Sequence, residues 1–341
     1  MKIHQSLRRP MIGQYVLVET LGINARNSVF LAAREGIGKS KVFVLKVPTP
    51  LGISDLRREA AILSQLHHEN IAEVVEDQTY ASLAFLALEY VDGITLEDIL
   101  RLETNGEREP NFKLAFHLAF KIAEILSYLS GRFENPPGTI GPLAHGDLVP
   151  KNLILTYDGQ IKLIDFGCAR VITRNADINI SMASIPYASP SRIKNQRVEL
   201  RDDFFGLGIM MWEICTRSRY WGNLTSDEIR RSLKSFTPKD PGPLQGSIPP
   251  SLRKFILHCI QEDYFEGYAS VEEILESLQE AQSQILGGPP FFNLGEYANS
   301  FSEHHLKSRR RLKRIDELLF TDKPTDPGAW KKILKWLNWA K

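Results

Sequence analysis

One lysine interrupts an apolar strand pattern, and this feature constrains the fold more than any other in the sequence. Residues 41–48 read KVFVLKVP, and the side chains of a β-strand alternate between its two faces. Beyond the terminal Lys41, both faces are apolar except at Lys46, which predicts a strand that is covered on both sides. The ammonium group of Lys46 would then lie in the interior, where a charge is costly unless it has a partner. The fold must therefore bring an acidic side chain to Lys46.

A predicted helix over about 54–66 supplies that side chain. Its apolar residues recur at helical spacing and form one stripe: Leu56, Ala60, Leu63 and Leu66. Glu59 projects from within this stripe, so its carboxylate lies on the face that should pack on the core. Because a buried carboxylate is costly without a partner, we predict an ion pair between Lys46 and Glu59. A surface lysine and a solvated glutamate are the alternative for either residue alone.

A second group of polar residues surrounds a predicted β-hairpin. Two short apolar strands, 153–156 and 161–164, flank the sequence YDGQ, which has the composition of a hairpin turn. Pairing of these strands would bring Asn152 and Asp165 to adjacent strand ends. An amide oxygen and a carboxylate suit a hard cation such as Mg²⁺, which takes few protein ligands and binds phosphate oxygens as well. Asp147, on the loop before the hairpin, is placed to reach the same space as a proton acceptor.

Length and patterning predict two parts with different secondary structure. A chain of 341 residues is long enough for about two domains. Residues 13–47 and 72–92 have the composition of short strands, whereas the sequence from about 95 onward is mainly helical. A strand-rich part followed by a helix-rich part indicates an α+β fold. The predicted organisation is a leader over 1–10, an N-terminal lobe over 11–92, a C-terminal lobe over 93–286, and a linker and tail over 287–341.

Composition and charge exclude several classes of protein. The formal net charge is +1 at pH 7, so the chain as a whole lacks the positive charge typical of nucleic-acid-binding proteins, and no nucleic acid is expected as a partner. Three widely spaced cysteines provide neither a disulfide framework nor a paired-cysteine metal site. The sequence has no apolar segment of about 18 residues and no signal-peptide core near its beginning. These features predict a cytoplasmic protein.

The order of these motifs resembles that of the eukaryotic-like (Hanks-type) protein kinases, and residues 141–170 are similar to bacterial members. The resemblance covers about residues 11–285 and includes a Gly-rich loop, a strand lysine, a helix glutamate, an HxDxxxxN loop and a DFG motif. It implies a bilobal fold, with a β-rich N-lobe that contains one helix and a mainly helical C-lobe. It also implies an ATP-dependent enzyme that phosphorylates a protein hydroxyl. Ser184 stands where serine/threonine kinases carry a threonine, which favours Ser/Thr over Tyr substrates.

The resemblance also implies a role for each motif residue. Lys46 would hold the α- and β-phosphates of ATP and pair with Glu59, and Asp147 would accept the proton of the substrate hydroxyl. Asn152 and Asp165 would hold Mg²⁺. The nucleotide would contact a further set of residues, in which Glu89 and Val91 offer backbone groups to adenine: Gly22, Val29, Val44, Glu89, Val91 and Ile154.

A small-molecule phosphotransferase is one alternative to a protein kinase. Aminoglycoside and choline phosphotransferases share the kinase fold and an HGDLxxxN loop. The segment from Asp165 to Pro190 has the length of a protein-kinase activation segment, however, and residues 203–216 resemble the helix that follows it in protein kinases. In that family the leading aspartate of this helix, here Asp203, anchors the catalytic loop. Both features favour a protein kinase.

Departures from the family pattern support the other alternative, a pseudokinase that acts as a scaffold or regulator. Gly146 stands in place of the HRD arginine, and Val149 in place of a lysine of serine/threonine kinases. Ser191 replaces the glutamate of the APE motif, and Gly267 falls where its arginine partner is expected. Loss of both members of an ion pair leaves no buried charge without a partner. The joint change at Ser191 and Gly267 is therefore interpreted as a structural simplification. The five catalytic residues that the family requires are nevertheless all present: Lys46, Glu59, Asp147, Asn152 and Asp165.

Two expectations concern how the chain adapts to such departures. In the Gly-rich loop only Gly22 is kept, and Asn24 and Asn27 stand where glycines are usual. Asparagine tolerates positive φ, which predicts that the turn keeps its shape. Lys151 lies four residues after Asp147, and we predict that it is a catalytic residue that supplies the cation missing at position 149.

The tail is basic and, near its end, amphipathic. From Lys307 onward it carries a net charge of +7. Within Trp330–Lys341 the apolar residues occupy one helical face and the lysines the other. Such a helix suits an anionic membrane surface or a partner protein, so the segment 307–341 is a candidate interaction element that would make the protein membrane-peripheral. Docking of the same apolar stripe on the C-lobe is the alternative.

Overall fold

The computed structural model describes residues 11–34, 41–81, 83–104, 111–135, 138–172, 184–195, 197–242, 248–262, 266–286 and 292–320. They form two compact units. Unit 1 contains the described residues of 11–66, 72–92 and 301–320, and unit 2 contains those of 67–71 and 93–300. The sequence-based partition assigned 67–71 to the N-lobe and everything after 286 to a linker and tail. The structure instead places 67–71 and 292–300 in unit 2 and 301–320 in unit 1.

Unit 1 is built on a six-stranded antiparallel sheet and one helix that packs on it. The strand order across the sheet is β1-β2-β3-β4-β6-β5, with β1 (Met11–Ile12), β2 (Tyr15–Ile23), β3 (Asn27–Arg34), β4 (Lys41–Pro48), β5 (Val74–Asp77) and β6 (Leu86–Glu89). The helix α1 (Ile53–Leu63) contacts β4 and β5. It begins and ends slightly earlier than the predicted range of about 54–66.

The main core cluster of unit 1 and Lys46 lie on opposite faces of this sheet. One face forms a core cluster whose members are Ile12, Tyr15, Leu17, Phe30, Ala32, Phe43, Leu45, Val47, Phe85 and Ala87. Because side chains alternate along a strand, Val44 and Lys46 lie on the opposite face. Their register partners on β3, Leu31 and Val29, share that face with them. The candidate phosphate-binding lysine therefore lies outside this cluster.

Unit 2 is mainly helical. Its helices are α2 (Leu96–Thr104), α3 (Phe112–Leu129), α4 (Pro190–Asn195), α5 (Leu200–Thr216), α6 (Ser226–Ser232), α7 (Pro250–Cys259), α8 (Val271–Leu286) and α9 (Leu294–Asn299). Every residue of α5 from Asp202 to Thr216 is buried, and the helix contacts both α3 and α7. A helix without a polar face can only be accommodated inside a core. The core of unit 2 is therefore built around α5.

Short strands in unit 2 include the predicted hairpin. They are β7 (Gly93–Thr95), β8 (Phe133–Asn135), β9 (Thr139–Gly141), β10 (Leu143–Ala144), β11 (Leu153–Thr156), β12 (Ile161–Leu163) and β13 (Arg170–Val171). Strands β11 and β12 pair antiparallel, with Leu153 opposite Leu163, which confirms the hairpin. Strand β7 pairs with the other edge of β11.

The last described helix, α10 (Ser302–Phe320), packs on the sheet of unit 1. Ile315 is fully buried against Leu31 and Ala33 of β3. This packing was not predicted from the sequence, because residues 287–341 were assigned to a linker and tail. The amphipathic stretch Trp330–Lys341, for which membrane attachment is predicted, lies outside the described residues.

The predicted α+β class is confirmed, with a β-rich N-lobe in unit 1 and a mainly helical C-lobe in unit 2. Among the described residues, every helix is too short or too polar to traverse a lipid bilayer.

Candidate active site

The buried ion pair predicted from the sequence is present in unit 1. Lys46 Nζ lies 2.5 Å from Glu59 Oε1, and the two side chains are only 9% and 2% exposed. Lys46 is on β4, an inner strand between β3 and β6, and Glu59 lies on the buried stripe of α1. Each charge thus offsets the cost of burying the other through a charge-assisted hydrogen bond.

Three residues predicted to contact ATP share a face of the unit 1 sheet with Lys46. Val29 on β3 is the register partner of Lys46, and Gly22 on β2 is the register partner of Val29. Val44 precedes Lys46 by two positions on β4. Paired residues, and residues two apart in a strand, project from the same face. The structure therefore brings Gly22, Val29 and Val44 together with Lys46.

The remaining predicted nucleotide contacts lie in two places. Glu89 is the last residue of β6 and donates its backbone N–H to Glu73 O at 3.0 Å. A contact between Glu89 and adenine would therefore use its carbonyl group, and Val91 follows two residues later. Ile154 belongs to unit 2, where it is the partly exposed residue of the otherwise buried β11.

The turn between β2 and β3 is closed by a side chain. Asn24 Oδ1 accepts hydrogen bonds from the backbone N–H groups of Arg26 and Asn27, each at 2.8 Å. Among the described non-glycine residues, positive φ occurs only at Asp165 and Arg217. The expected use of positive φ by the two asparagines is therefore wrong. Asn24 shapes the turn through the hydrogen-bonding capacity of its amide instead.

The same turn is held against the segment that leads into α1. Thr49 donates its N–H to Arg26 O at 2.7 Å and its hydroxyl to Ala25 O at 2.8 Å. The Arg26 guanidinium forms an ion pair with Asp55 in the first turn of α1. Gly52 permits this approach, because a Cβ at that position would collide with Arg26 O. The turn and the helix that carries Glu59 are thus packed as one element.

In unit 2, Asp147 and Asn152 are joined by hydrogen bonds. Asn152 Nδ2 donates to Asp147 O at 2.9 Å and to Asp147 Oδ2 at 3.4 Å. A single 3₁₀ turn, Pro150–Asn152, folds the chain back so that these contacts form. Ile164 donates its N–H to Asn152 O at 2.9 Å, which ties this turn to the hairpin end that Asp165 follows.

The Asp147 carboxylate also has a backbone donor and a cation beside it. Oδ1 accepts a hydrogen bond from Ser184 N–H at 2.9 Å. Oδ2 lies 3.5 Å from Lys151 Nζ, and the Lys151 side chain is 48% exposed against 7% for Asp147. Lys151 therefore reaches from solvent to the group that the sequence assigns as proton acceptor.

Asp165 follows β12 in an unusual backbone conformation. Its φ is 67°, in the left-handed region that non-glycine residues rarely adopt. Gly167 N–H donates to Asp165 Oδ1 at 3.3 Å. Backbone strain of this kind persists where the surroundings hold a residue in place. The conformation of Asp165 is therefore imposed by its setting.

The donor atoms at this hairpin end fit a magnesium ion. Because Asn152 Nδ2 is committed to Asp147, the Asn152 amide would present its oxygen, and Asp165 offers a carboxylate. In the described part of the chain, no three His, Cys, Asp or Glu side chains converge on one position. A cation held by Asn152 and Asp165 would complete its shell with phosphate oxygens and water, as Mg²⁺ does.

A buried carboxylate anchors the backbone that precedes Asp147. Asp203, near the start of α5, accepts hydrogen bonds from the N–H groups of His145 at 2.7 Å and Gly146 at 2.9 Å. Burial raises the pKa of Asp203 to about 7, and the two N–H donors oppose that rise by stabilising the carboxylate. The anchoring contact that the resemblance implies is thus present.

Gly146 is required by the backbone at this point. Its φ is 72°, and a Cβ there would lie 2.8 Å from Cys168 O. A different arginine contacts the loop: Arg192 of α4 is 8% exposed and donates to Gly146 O. Sequence reasoning missed Arg192, because nothing in its immediate sequence distinguishes a buried arginine from an exposed one. Its place just after the activation segment was the only available signal.

An arginine lies beside Gly267, one of the two positions where the family's ion pair is missing. Arg201 of α5 donates to Gln261 O and Glu262 O, both at 3.4 Å. A Cβ at Gly267 would lie 2.6 Å from the Arg201 guanidinium. Arg201, from another element, therefore occupies the space beside Gly267, and the interpretation of the two changes as a structural simplification stays a prediction.

The comparisons with known proteins agree with this geometry. The family model described as protein kinase domain matches residues 15–277. The chain is 25% identical over 327 residues to the tyrosine-protein kinase MasK of Myxococcus xanthus, covering 93% of this chain and 50% of MasK. It is 26% identical over 278 residues to the serine/threonine-protein kinase PrkC of Bacillus subtilis, covering 79% of this chain and 40% of PrkC.

A third relative extends the same pattern. The chain is 26% identical over 241 residues to the probable serine/threonine-protein kinase PknB of Lactococcus lactis, covering 68% of this chain and 35% of PknB. The chain thus spans half or less of the length of these curated relatives. The match over 15–277 and the placement of the kinase motifs confirm the resemblance drawn from the sequence, and the chain belongs to the protein kinase family.

Proposed function

We propose that this protein transfers the γ-phosphate of Mg-ATP to a serine or threonine hydroxyl of a protein substrate. The observation that carries the proposal is the environment of Asp147. Its carboxylate is buried, lies next to Asn152, and has the ammonium group of Lys151 at 3.5 Å. A carboxylate held in this way can orient a hydroxyl and accept its proton beside a group that neutralises phosphoryl charge.

Unit 1 would bind the nucleotide. Lys46, aligned by Glu59 at 2.5 Å, would contact the α- and β-phosphates. Val29 and Val44 would provide apolar contacts on the same sheet face, with Gly22 next to them. Backbone groups of Glu89 and Val91 would bind adenine, and Ile154 of unit 2 would add an apolar contact to the base.

Unit 2 would supply the groups for phosphoryl transfer. Asn152 and Asp165 would hold Mg²⁺, which when bound would neutralise charge on the phosphates. The substrate hydroxyl oxygen forms a bond to the γ-phosphorus, the bond from that phosphorus to the bridging oxygen breaks, and ADP leaves. Asp147 accepts the hydroxyl proton. Lys151 stabilises the charge on the transferred group, in the place of a lysine at position 149.

Specificity for Ser/Thr is supported by the surroundings of Asp147 and by several relatives. Ser184, whose N–H donates to Asp147, is a small residue beside the proposed base. PrkC and PknB carry serine/threonine kinase in their names, whereas MasK is named a tyrosine kinase. Identification of the phosphorylated amino acid therefore has to decide between Ser/Thr and Tyr.

A pseudokinase scaffold remains the second candidate, and one contact favours it. The hydrogen bond from Ser184 N–H uses one acceptor position of Asp147 Oδ1, and Lys151 and Asn152 face Oδ2, so fewer positions are left for a substrate hydroxyl. If this contact persisted in every state of the protein, the family fold would be kept without catalysis.

Phosphate transfer from labelled Mg-ATP to a mixture of candidate substrate proteins tests the proposal, with acid hydrolysis to identify the labelled amino acid. We expect phosphoserine or phosphothreonine with the wild-type protein and none with Asp147→Asn or Lys46→Met. Lys41→Met is the matched control, because Lys41 is an exposed lysine on the same strand. Binding of Mg-ATP without transfer would favour the pseudokinase, and labelled phosphotyrosine would overturn the Ser/Thr assignment.

A further inference from the structure

One face of α10 contacts the segment that follows β6. Ser308 Oγ donates a hydrogen bond to Asp92 Oδ1, and Tyr90 Oη lies 3.5 Å from Ser308 Oγ. Ser308 is 7% exposed, so these contacts are shielded from water. Two side chains of the segment 90–92 are thus held by one residue of the helix.

A second residue on the same helical face adds a bidentate ion pair. Arg311 Nε lies 3.0 Å from Glu19 Oε2, and its terminal nitrogen donates to Glu19 Oε1 at 3.1 Å. Bidentate arginine–carboxylate pairs restrict geometry as well as contributing energy. Arg311 therefore joins α10 to β2.

Apolar packing places α10 next to the predicted nucleotide contacts. Ile315 is fully buried against Leu31, which is the register partner of Val44 on β4. Leu31, Val44 and Lys46 project from one face of the sheet. The helix therefore covers the part of this face that adjoins Val44.

We propose that α10 is a positioning element for adenine binding, with Ser308 and Arg311 as the positioning residues. The inference rests on the proposed function, since it assumes that Glu89 and Val91 bind adenine. Tyr90 and Asp92 alternate with those two residues along the chain. Holding the side chains at 90 and 92 restricts the peptide groups at 89 and 91 before the nucleotide arrives, so less conformational freedom is lost on binding.

The test compares Ser308→Ala with Arg310→Ala in the full chain. Arg310 is exposed on α10 and serves as the matched control. We expect Ser308→Ala to raise the Kd of Mg-ATP, measured by calorimetry, and the KM for ATP about fivefold, the equivalent of one hydrogen bond. The kcat should stay within about twofold, because Ser308 touches no reacting group. Arg310→Ala should leave all three constants unchanged.

A second readout does not depend on nucleotide. Hydrogen exchange of the peptide that contains residues 90–92 should be faster in Ser308→Ala than in the wild type, and unchanged in Arg310→Ala. Arg311→Lys provides an independent variant, because it keeps the charge but loses the bidentate geometry, and it should raise the KM for ATP in the same way.

The outcomes separate this inference from the proposed function. Unchanged Kd and unchanged exchange in Ser308→Ala and Arg311→Lys, with normal wild-type binding, would overturn the role of α10 alone. A fall in thermal stability without a change in Kd would do the same, since it would make α10 only a structural support. A wild-type protein that binds no Mg-ATP would overturn the proposed function and, with it, the adenine role of α10.

Discussion

Glu59 in unit 1 and Asp203 in unit 2 are buried to nearly the same extent, yet different groups stabilise them. Their exposed fractions are 2% and 1%. Glu59 faces the ammonium group of Lys46, whereas Asp203 accepts two backbone N–H bonds. If Lys46 is removed, the buried Glu59 carboxylate loses the side-chain cation that faces it. If Asp203 is removed, two backbone N–H groups lose their acceptor, so the loop that contains them loses its anchor.

Asp147 combines both kinds of partner. It accepts a hydrogen bond from Ser184 N–H and lies 3.5 Å from Lys151 Nζ. Buried carboxylates in this protein thus range from one stabilised by an ion pair to one stabilised by the backbone. The candidate catalytic residue lies between these two cases.

The largest effect on stability is expected for Lys46→Met. Breaking a buried ion pair on one side costs about 3–5 kcal/mol of unfolding free energy, because the buried Glu59 carboxylate would lose the ammonium group that faces it. Urea unfolding measures the loss, and Lys41→Met, on the exposed end of the same strand, should change little. The double variant Lys46→Met/Glu59→Met should recover most of the stability while remaining inactive. A double variant no more stable than Lys46→Met would contradict the ion-pair account.

Asp203→Ala should destabilise the protein by about 3 kcal/mol, since each buried N–H left without an acceptor costs about 1–3 kcal/mol. The backbone of His145 and Gly146 would lose its anchor, so phosphate transfer should fall about 100-fold or more. The control is Asp227→Ala, at an exposed position in the first turn of α6. Wild-type transfer rates in Asp203→Ala would show that the loop is held by other contacts.

Lys151→Ala tests whether the cation beside Asp147 takes part in the reaction. Loss of a group that stabilises the transferred phosphoryl should lower kcat by about 10²-fold with little change in the KM for ATP. Lys234→Ala, an exposed lysine elsewhere in unit 2, is the control. A kcat that stays within about twofold, equivalent to about 0.4 kcal/mol of barrier, would make Lys151 an ordinary solvated lysine.

Alanine substitutions at Gly146 and Gly222 test how tightly the loop anchored by Asp203 is packed, with Gly222 as the control. Both have positive φ, 72° and 58°, but a Cβ at Gly222 has no neighbour within 4 Å, whereas one at Gly146 meets Cys168 O at 2.8 Å. Gly222→Ala should therefore cost about 1 kcal/mol for the conformation alone. Gly146→Ala should cost about 1–2 kcal/mol more, measured by thermal unfolding. Equal losses would mean that the loop moves to accept the side chain.

A pH dependence of stability is expected at Asp203, because its carboxyl group is buried. The pKa of Asp203 is raised to about 7 in the folded protein from an ordinary value of 3.8. The folded state then keeps a proton that the unfolded chain has released, so this contribution to stability falls as pH rises through about 7. The stability of the wild type relative to Asp203→Asn should therefore decrease from pH 5 to pH 8. A constant difference for Asp203→Asn would show that its pKa is not raised.

Several parts of the site were predictable because each rests on a short-range pattern. The alternation along 41–48 and the helical stripe around Glu59 showed that Lys46 and Glu59 are both on buried faces. Two buried opposite charges predict an ion pair. The turn composition between β11 and β12 predicted the hairpin that precedes Asp165. In each case the period of the strand or helix determines where a side chain projects.

Other contacts were not predictable, because they join residues that are far apart in sequence. Arg192 contacts Gly146 across 46 positions, and Ser308 contacts Asp92 across 216. Nothing in the local sequence of either residue marks it as buried. The closure of the β2–β3 turn by Asn24 was missed for a different reason, since an asparagine can shape a turn through either its backbone or its amide.

The sequence by itself determined the family through the order of its motifs, and it determined the α+β class and the burial of Lys46 and Glu59 through periodicity, because periodicity and burial cost are properties of short segments. Only the tertiary structure decided that Asp203 and Asp147 are buried and what stabilises them: two backbone N–H donors for Asp203, and a backbone donor with a nearby ammonium group for Asp147. It also decided that α10 packs on unit 1 beside Tyr90 and Asp92. The physical reason is that hydrogen-bond partners and apolar coverings are chosen by which segments meet in space, and short-range patterns do not encode those meetings.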